Sequence, residues 1–274
     1  VHRALELGIG YIDTAPFYGH GLSETLLGRA LEGVERASFV LSTKVGRVLE
    51  PVEETPDSEQ FVDVPRYEPV FDYSRDGILR SLEDSLRRLG LDEIEMALMH
   101  DPDDHYAQVI GEAYPALAEL RSEGVVKAIG VGMNQWQMLA RFARETDVDC
   151  FLVAGRYTLL DQSALAELMP LCEERGISVI LGGPYNSGIL ASDLSPNTTF
   201  DYLPVSSEVL ERARAIKAVC DRHDVPLKAT ALQFGLAHPA VAATIPGARS
   251  ASEVEENLAM AGVSIPSQMW GELR

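Results

Sequence analysis

The chain has 274 residues, 46% hydrophobic and 24% charged, the make-up of a soluble globular protein whose core needs neither disulfides nor a structural metal. Lys and Arg number 23 against 42 Asp and Glu, a net charge of -19, which argues against nucleic acid or an anionic membrane as partner. No apolar run reaches membrane-span length, the three scattered cysteines Cys150, Cys172 and Cys220 read as reduced thiols of a reducing, cytoplasmic compartment, and no Cys/His cluster has metal-ligand spacing.

In chain order the pattern alternates between helix and strand. Residues 2–7 read as the end of a helix closed by Gly8. A buried strand over 9–13 follows, built on Ile9, Tyr11 and Ile12. Asp13 then enters a loop that Pro16 and Gly19 stiffen, with Tyr18 between them. Ser23 is the expected N-cap of a helix to Leu31, and a strand over 38–43 runs into Lys44. Residues 45–73 read as an irregular stretch rich in proline and acid, a flap over an active site. Asp72 or Ser74 starts a helix whose Ile78, Leu82, Leu86 and Leu89 share one face and which Gly90 ends.

A strand over 94–99 leads to His100, Asp101 and Pro102, and a helix over about 106–123 is closed by Gly124. The strand 125–131 leads to Gly132, Met133 and Asn134; a helix covers 135–145 and a strand 149–154. A helix over about 162–175 is closed by Gly176, and the strand 177–181 leads into Gly182. A second long loop, 185–206, precedes helices near 207–222 and 227–237. The last strand, 241–245, ends at Pro246 and Gly247. Ser250 and Ser252 each open a capping box, with Glu253 and Glu255. One more helix begins after Pro266.

Seven buried strands alternating with helices predict an α/β fold of the (β/α)8 TIM-barrel class, one barrel-type domain over 1–274. The chain opens inside a helix, so an eighth strand is expected before Val1, and the last helix is expected to be cut short. No G-x-G-x-x-G follows any strand, which speaks against a doubly wound dinucleotide-binding sheet.

In a barrel the C-terminal strand ends converge on one face, where active sites of this architecture lie. Asp13, Lys44 and His100 follow three successive strands, and Tyr18 stands in the loop after the first. A phenol with a pKa of about 10 is a poor base at neutral pH, but a nearby ammonium favours the phenolate. Asp13 can hold that ammonium charged and oriented, and His100 can donate to a substrate oxygen. Together they form a proton-transfer device for a hydroxyl or carbonyl. They hold no electron store, so the hydride acceptor must come from a cofactor. Residues 245–257 (IPGARSASEVEEN) follow the last strand and open a helix, a place for a phosphate, with Arg249 adding positive charge.

DTAPFYG, the strand end at Lys44, LMHDPD (98–103) and IPGARSASEVEEN together resemble the aldo-keto reductases, over nearly the whole chain apart from that family's N-terminal hairpin and first strand. The resemblance implies an Asp-Tyr-Lys-His tetrad at Asp13, Tyr18, Lys44 and His100, with Tyr18 as general acid/base. It also implies NAD or NADP bound through Asn134, Gly247, Arg249, Glu256 and Asn257. NADP-using members often carry a Lys and an Arg where this chain has Gly247 and Glu253, so the expectation leans to NAD. Many members have Ser-Asn where only Asn134 remains, and a Tyr where Gly182 stands.

FDYSRDGILRSLEDSLRRLGLD, HDPDD, GVGMNQW and AGRYTLLDQ resemble the branch that oxidises the anomeric hydroxyl of sugars, or pyridoxal, to lactones. That implies a small cyclic hemiacetal as substrate, a sugar of the L-fucose or D-arabinose type or pyridoxal. Aldehyde reduction with NADPH and a cofactor-binding channel β subunit are the alternatives. Phe17, Trp136 and Tyr185 are the candidate apolar walls of the substrate pocket.

Overall fold

Parallel strands that carry helices on their outer face are buried on both sides and read as near-continuous apolar runs. The strand at the heart of the N-terminal half behaves so: five of its six residues, all but Val40, are buried. A computed structural model describes residues 1–58 and 60–273. They form two units, Val1–Met133 with Val148–Cys150, and Asn134–Asp147 with the chain from Phe151 onward.

In the first unit α1 (His2–Glu6) leads to β1 (Tyr11–Asp13), α2 (Leu22–Leu31) and β2 (Val40–Val45). An antiparallel hairpin, β3 (Arg47–Pro51) and β4 (Tyr67–Phe71), precedes α3 (Arg75–Leu89) and β5 (Met96–His100). Then come α4 (Tyr106–Gln108), α5 (Tyr114–Ser122) and β6 (Ala128–Met133). Parallel pairing runs β1-β2-β5-β6, with Asp13 opposite Ser42, Lys44 opposite Leu98 and His100 opposite Gly132. The opening residue of β7 (Cys150–Ala154) follows in the strand order.

The second unit holds α6 (Trp136–Glu145), the rest of β7, α7 (Leu168–Arg175) and β8 (Ser178–Gly182). A two-residue-per-strand hairpin, β9 (Thr199–Phe200) and β10 (Leu203–Pro204), leads to α8 (Ser207–Arg222) and α9 (Leu227–Phe234). Next is β11 (Val241–Ile245), which pairs parallel to β8, then α10 (Ala251–Ala261) and α11 (Ser267–Glu272). Leu160, Ile189, Leu210, Leu227 and Met269 anchor an apolar cluster under the loop and helices of this half. The strand-helix order is that of the (β/α)8 class, as the sequence predicts, with seven central strands among the described residues.

Strand alternation aims the polar residues of β2. Successive side chains point to opposite faces, so Ser42 and Lys44 share one face and both reach Asp13. Thr43 faces the other way and donates to Glu24 of α2, a fully buried carboxylate that Arg88 of α3 also pairs, at 2.7 Å. A buried carboxylate persists only with such partners. It ties two helices to the strand that carries Lys44.

Several sequence expectations need correction. The first strand starts at Tyr11 and is half-buried rather than buried, for β1 has one strand neighbour among the described residues. Ser23 lies inside α2, whose cap is Gly21; its hydroxyl pairs with Thr14 instead. Residues 45–73 are not irregular throughout, since the β3-β4 hairpin occupies much of them. Both Asp72 and Ser74 serve the start of α3: Ser74 caps Gly77 N–H, and Asp72 accepts from Ser74. The helix expected over 106–123 contains a π turn, Val109–Ala113, directly before Tyr114 and Pro115. Proline has no N–H to continue the ladder, and a π turn accommodates the gap. Between 162 and 175 a 3-10 turn precedes α7, and between 227 and 237 another follows α9. Ser250 caps α10, whereas Ser252 is an interior residue of that helix.

Candidate active site

The most buried cation of the first unit sets its chemistry. Lys44 Nζ lies 2.6 Å from Asp13 Oδ2 and donates to the carbonyl of Thr14 at 3.0 Å. Their side chains are 2% and 8% exposed. Ser42 Oγ donates to Asp13 Oδ1 at 2.6 Å and sits 2.9 Å from the Tyr11 hydroxyl. Burial works against the ammonium, but Asp13 and then Tyr18 outweigh it, and the Lys44 pKa ends above its ordinary value. The lysine is held charged.

Lys44 Nζ is 4.7 Å from the centroid of the Tyr18 ring. That ring meets His100 edge-on, centroids 5.8 Å apart. Lys44 lowers the pKa of this phenol, as expected, but it is not the largest influence on it. Burial raises the Tyr18 pKa more than Lys44 lowers it, so the phenol keeps its proton at neutral pH. The lysine moderates the cost of making the phenolate without making the phenolate the resting form.

His100 is 5% exposed. Burial, then the charges of Lys44 and Arg47, push its pKa well below 6.5, so the imidazole is neutral. Its Nδ1 is buried without a hydrogen-bond partner among the described residues, and Nε2 stands 3.6 Å from Asp101 Oδ2. The backbone of His100 is fixed from outside the strand: the hydroxyl of fully buried Tyr73 donates to its carbonyl. The Tyr73 ring can lie there because residue 46 is glycine. A Cβ at Gly46 would fall 2.1 Å from the ring, and the backbone there has φ +93°, which favours glycine.

Phe17, expected as an apolar wall, is half-buried beside this group, edge-on to Phe61 at 5.3 Å and to His100 at 6.0 Å. Its face carries the Arg47 guanidinium, 4.2 Å from the centroid; the same guanidinium is 4.4 Å from Phe71. Arg47 Nη2 donates to Asp101 Oδ2 at 2.7 Å. Burial raises the Asp101 pKa, and Arg47 opposes that. Arg47, Phe61 and Asp101 went unassigned in the sequence reading. Asp101 was within reach as the neighbour of His100; Arg47 is recruited by the hairpin and Phe61 by the loop between its strands, which pattern alone did not reveal.

In the second unit Asn134, just past β6, donates through Nδ2 to the carbonyl of Ala154 at 3.2 Å. Trp136 is the half-buried first residue of α6. Gly182 ends β8, where a Cβ would meet Leu152 at 3.2 Å. Tyr185, expected as an apolar wall, donates through its hydroxyl to Oδ1 of buried Asn257, at 2.8 Å. Lys228 lies 5.5 Å from the Tyr185 ring and pairs with exposed Glu256 at 2.7 Å. Tyr185, Glu256 and Asn257 thus form one group around α10.

Gly247 is exposed with open space around it. Arg249 is exposed as well and turns back on the helix. Its N–H donates to Glu253 Oε2 at 2.7 Å, and its Nε and Nη2 donate to Oε1 at 3.2 and 2.9 Å. That pairing raises the Arg249 pKa and lowers that of Glu253. Cys150, Cys172 and Cys220 are buried and unpaired. Among the described residues no His, Cys, Asp and Glu are grouped to hold a metal ion, and no helix is long and apolar enough to cross a membrane.

Comparison with known proteins matches this geometry to one family. The chain is 40% identical to pyridoxal 4-dehydrogenase of Microbacterium luteolum, over 97% of its own length and 84% of that protein's. It is equally 40% identical to D-threo-aldose 1-dehydrogenase of a Pseudomonas species, over 100% of the chain and 85% of the relative. A solved aldo-keto reductase of Bacillus halodurans superposes with a TM-score of 0.78 at 29% identity, covering 99% of this chain and 85% of that one. The model of the aldo/keto reductase family matches residues 1–274. The chain therefore belongs to the aldo/keto reductase family and is an NAD(P)-dependent oxidoreductase acting on small molecules.

Proposed function

We propose that this enzyme oxidises the anomeric hydroxyl of an aldose of the L-fucose or D-arabinose type to the lactone, with NAD preferred over NADP. The observation that carries the chemistry is the buried Asp13–Lys44 pair against the Tyr18 ring, with a neutral His100 edge-on to the same ring. Tyr18 takes the hydroxyl proton. Lys44 lowers the cost of the ionised form of Tyr18, which is the form that accepts this proton and is returned by it to the neutral phenol, and Asp13 keeps Lys44 charged and in place. His100, neutral, donates a hydrogen bond to the substrate oxygen and holds it at Tyr18. The nicotinamide cofactor, when bound, supplies the acceptor for the hydride that leaves C1.

Asn134, Gly247, Arg249, Glu256 and Asn257 would hold that cofactor. The residues present fit a dinucleotide: an open glycine turn leads into a capped helix, with a buried amide beyond it. They fit a 2′-phosphate poorly. The guanidinium of Arg249 spends one edge, Nε and Nη2, on Glu253, whose carboxylate stands where a phosphate would compete for it. This supports NAD. Tyr185, through Asn257, belongs with this group rather than with the substrate wall. Phe17, beside His100, is the wall candidate of the first unit, and Trp136 that of the second.

The relatives at 40% identity are named for an aldose and for pyridoxal, which is why a cyclic hemiacetal is the favoured substrate. One observation favours a second reading, aldehyde reduction. The Tyr18 phenol holds its proton, the form needed to protonate a carbonyl oxygen. The buried, unpaired cysteines fit a cytoplasmic location. The deciding measurement is initial rates for a panel of aldoses and pyridoxal with NAD and NADP, and for simple aldehydes with NADH and NADPH. The highest kcat/KM is expected for an aldose with NAD. Turnover confined to aldehydes would replace the first reading with the second.

A further inference from the structure

Asp101 is held in the left-handed backbone region, which residues other than glycine adopt uncommonly and aspartate more readily than most. Its φ is +48°, in the left-handed region, and the residue after it is Pro102, which restricts it further. Such strain persists where the surroundings over-determine it, and it clusters at functional sites. The surroundings are evident. The Asp101 N–H donates to the carbonyl of Gly132 at 3.0 Å, and Oδ2 accepts from Arg47 at 2.7 Å. Arg47 is itself clamped between Phe17 and Phe71 and is 14% exposed.

This clamp uses one carboxylate oxygen and leaves the other. Oδ2 serves Arg47 and lies 3.6 Å from His100 Nε2. Oδ1 has no hydrogen-bond partner among the described residues, and the side chain is 32% exposed, so a ligand can reach it. An ionised carboxylate only accepts hydrogen bonds, so its ligand must bring a donor. A cationic ligand is disfavoured, because Arg47 and Lys44 both act on this carboxylate. A neutral hydroxyl is not. The position beside His100 places that hydroxyl next to the carbon that reacts, and the adjacent Phe17 offers an apolar surface for C–H groups.

We propose that Asp101, locked by Arg47, is a specificity-determining residue that accepts a hydrogen bond from a further hydroxyl of a polyhydroxylated substrate. This rests on the reading of the Tyr18 site as the place where C1 reacts. It explains why a strained carboxylate is kept beside a neutral histidine that does not hydrogen-bond to it.

The test compares a sugar with a cyclic hemiacetal that has no other hydroxyl. The wild type is expected to prefer the better of L-fucose and D-arabinose over tetrahydropyran-2-ol by at least about tenfold in kcat/KM. Asp101→Asn, close to isosteric, is expected to cut that preference about ten- to a hundredfold, the worth of a hydrogen bond to a charged group. Calorimetric titration of the same sugar into NADH-loaded protein is expected to show a matching loss of affinity, without any turnover. Circular dichroism melts confirm that the variant is folded; if it is not, the wild-type preference alone decides.

A wild type that does not discriminate between the two hemiacetals overturns the proposal. So does a preference that moves less than about threefold in folded Asp101→Asn. If no hemiacetal is oxidised at all, the function proposed above fails and the titration judges this inference separately. Sugar binding that depends on Asp101 upholds it; binding that does not, or no binding by the wild type, overturns it.

Discussion

Two groups of charged residues in this molecule are built in opposite ways. Around Lys44 the partners come from far along the chain: Ser42 and Lys44 reach Asp13 across 29 and 31 positions, and Arg47 reaches Asp101 across 54. The central ion pair is almost wholly buried. At the start of α10, Arg249 and Glu253 are four positions apart, and the Arg249 side chain is 91% exposed. Burial makes the first group costly to disturb and pre-organised. Water screens the second, which leaves it free to tune an affinity at little structural cost.

The sharpest way to break that comparison is Tyr18→Phe, which removes one hydroxyl from the buried group. Activity in either direction should fall about 10²- to 10⁴-fold, the usual worth of a general acid/base, with the melting temperature preserved. A variant retaining more than a tenth of wild-type kcat would take the proton-transfer role away from Tyr18.

Asp13→Asn attacks the ion pair itself. It leaves a buried ammonium without its counter-charge, a change worth about 3–5 kcal/mol in buried pairs. Urea unfolding should show the loss, and adding Lys44→Met to the same chain should restore part of it. A loss under about 1 kcal/mol would mean that water reaches the pair.

A smaller effect is expected from His100 as pH changes. Its folded pKa lies well below 6.5, the value it regains on unfolding. Above about pH 6.5 both states are neutral and its contribution is fully present. As pH falls below that, the unfolded chain binds a proton that the folded protein excludes. Stability should therefore drop by up to about 1.4 kcal/mol per pH unit until the folded pKa is reached. His100→Asn should flatten that slope; an equal slope in variant and wild type would place the titration elsewhere.

The mildest change tests the exposed group. Glu253→Gln releases Arg249 from its carboxylate. The kcat/KM ratio for NADP over NAD should rise about tenfold, near the worth of one charge-assisted contact. An unchanged ratio would show that Arg249 does not face the cofactor's ribose.

Local signals were legible wherever the structure depends on neighbours in sequence. Gly90, Gly124 and Gly176 all adopt the left-handed backbone at helix ends where their positions predict it. Ser250 caps α10 as the capping box requires. The strands too were found within a few residues, because buried apolar runs bounded by turn residues admit few other readings. The errors fell where two local options compete: Ser23 and Ser252 are both plausible caps, yet Gly21 and Ser250 take those positions.

The sequence by itself determined the alternation of strands and helices, and the placement of Asp13, Tyr18, Lys44 and His100 at or just past successive strand ends. Periodicity and turn chemistry are local and survive in a string of letters. Tertiary structure alone decided the protonation of Tyr18, for burial outweighs the lysine and no spacing reports burial. It alone brought Arg47 between two phenylalanines and onto Asp101, and joined the Tyr185 hydroxyl to Asn257. Those contacts depend on which long-range surfaces pack together, and on the desolvation that packing imposes.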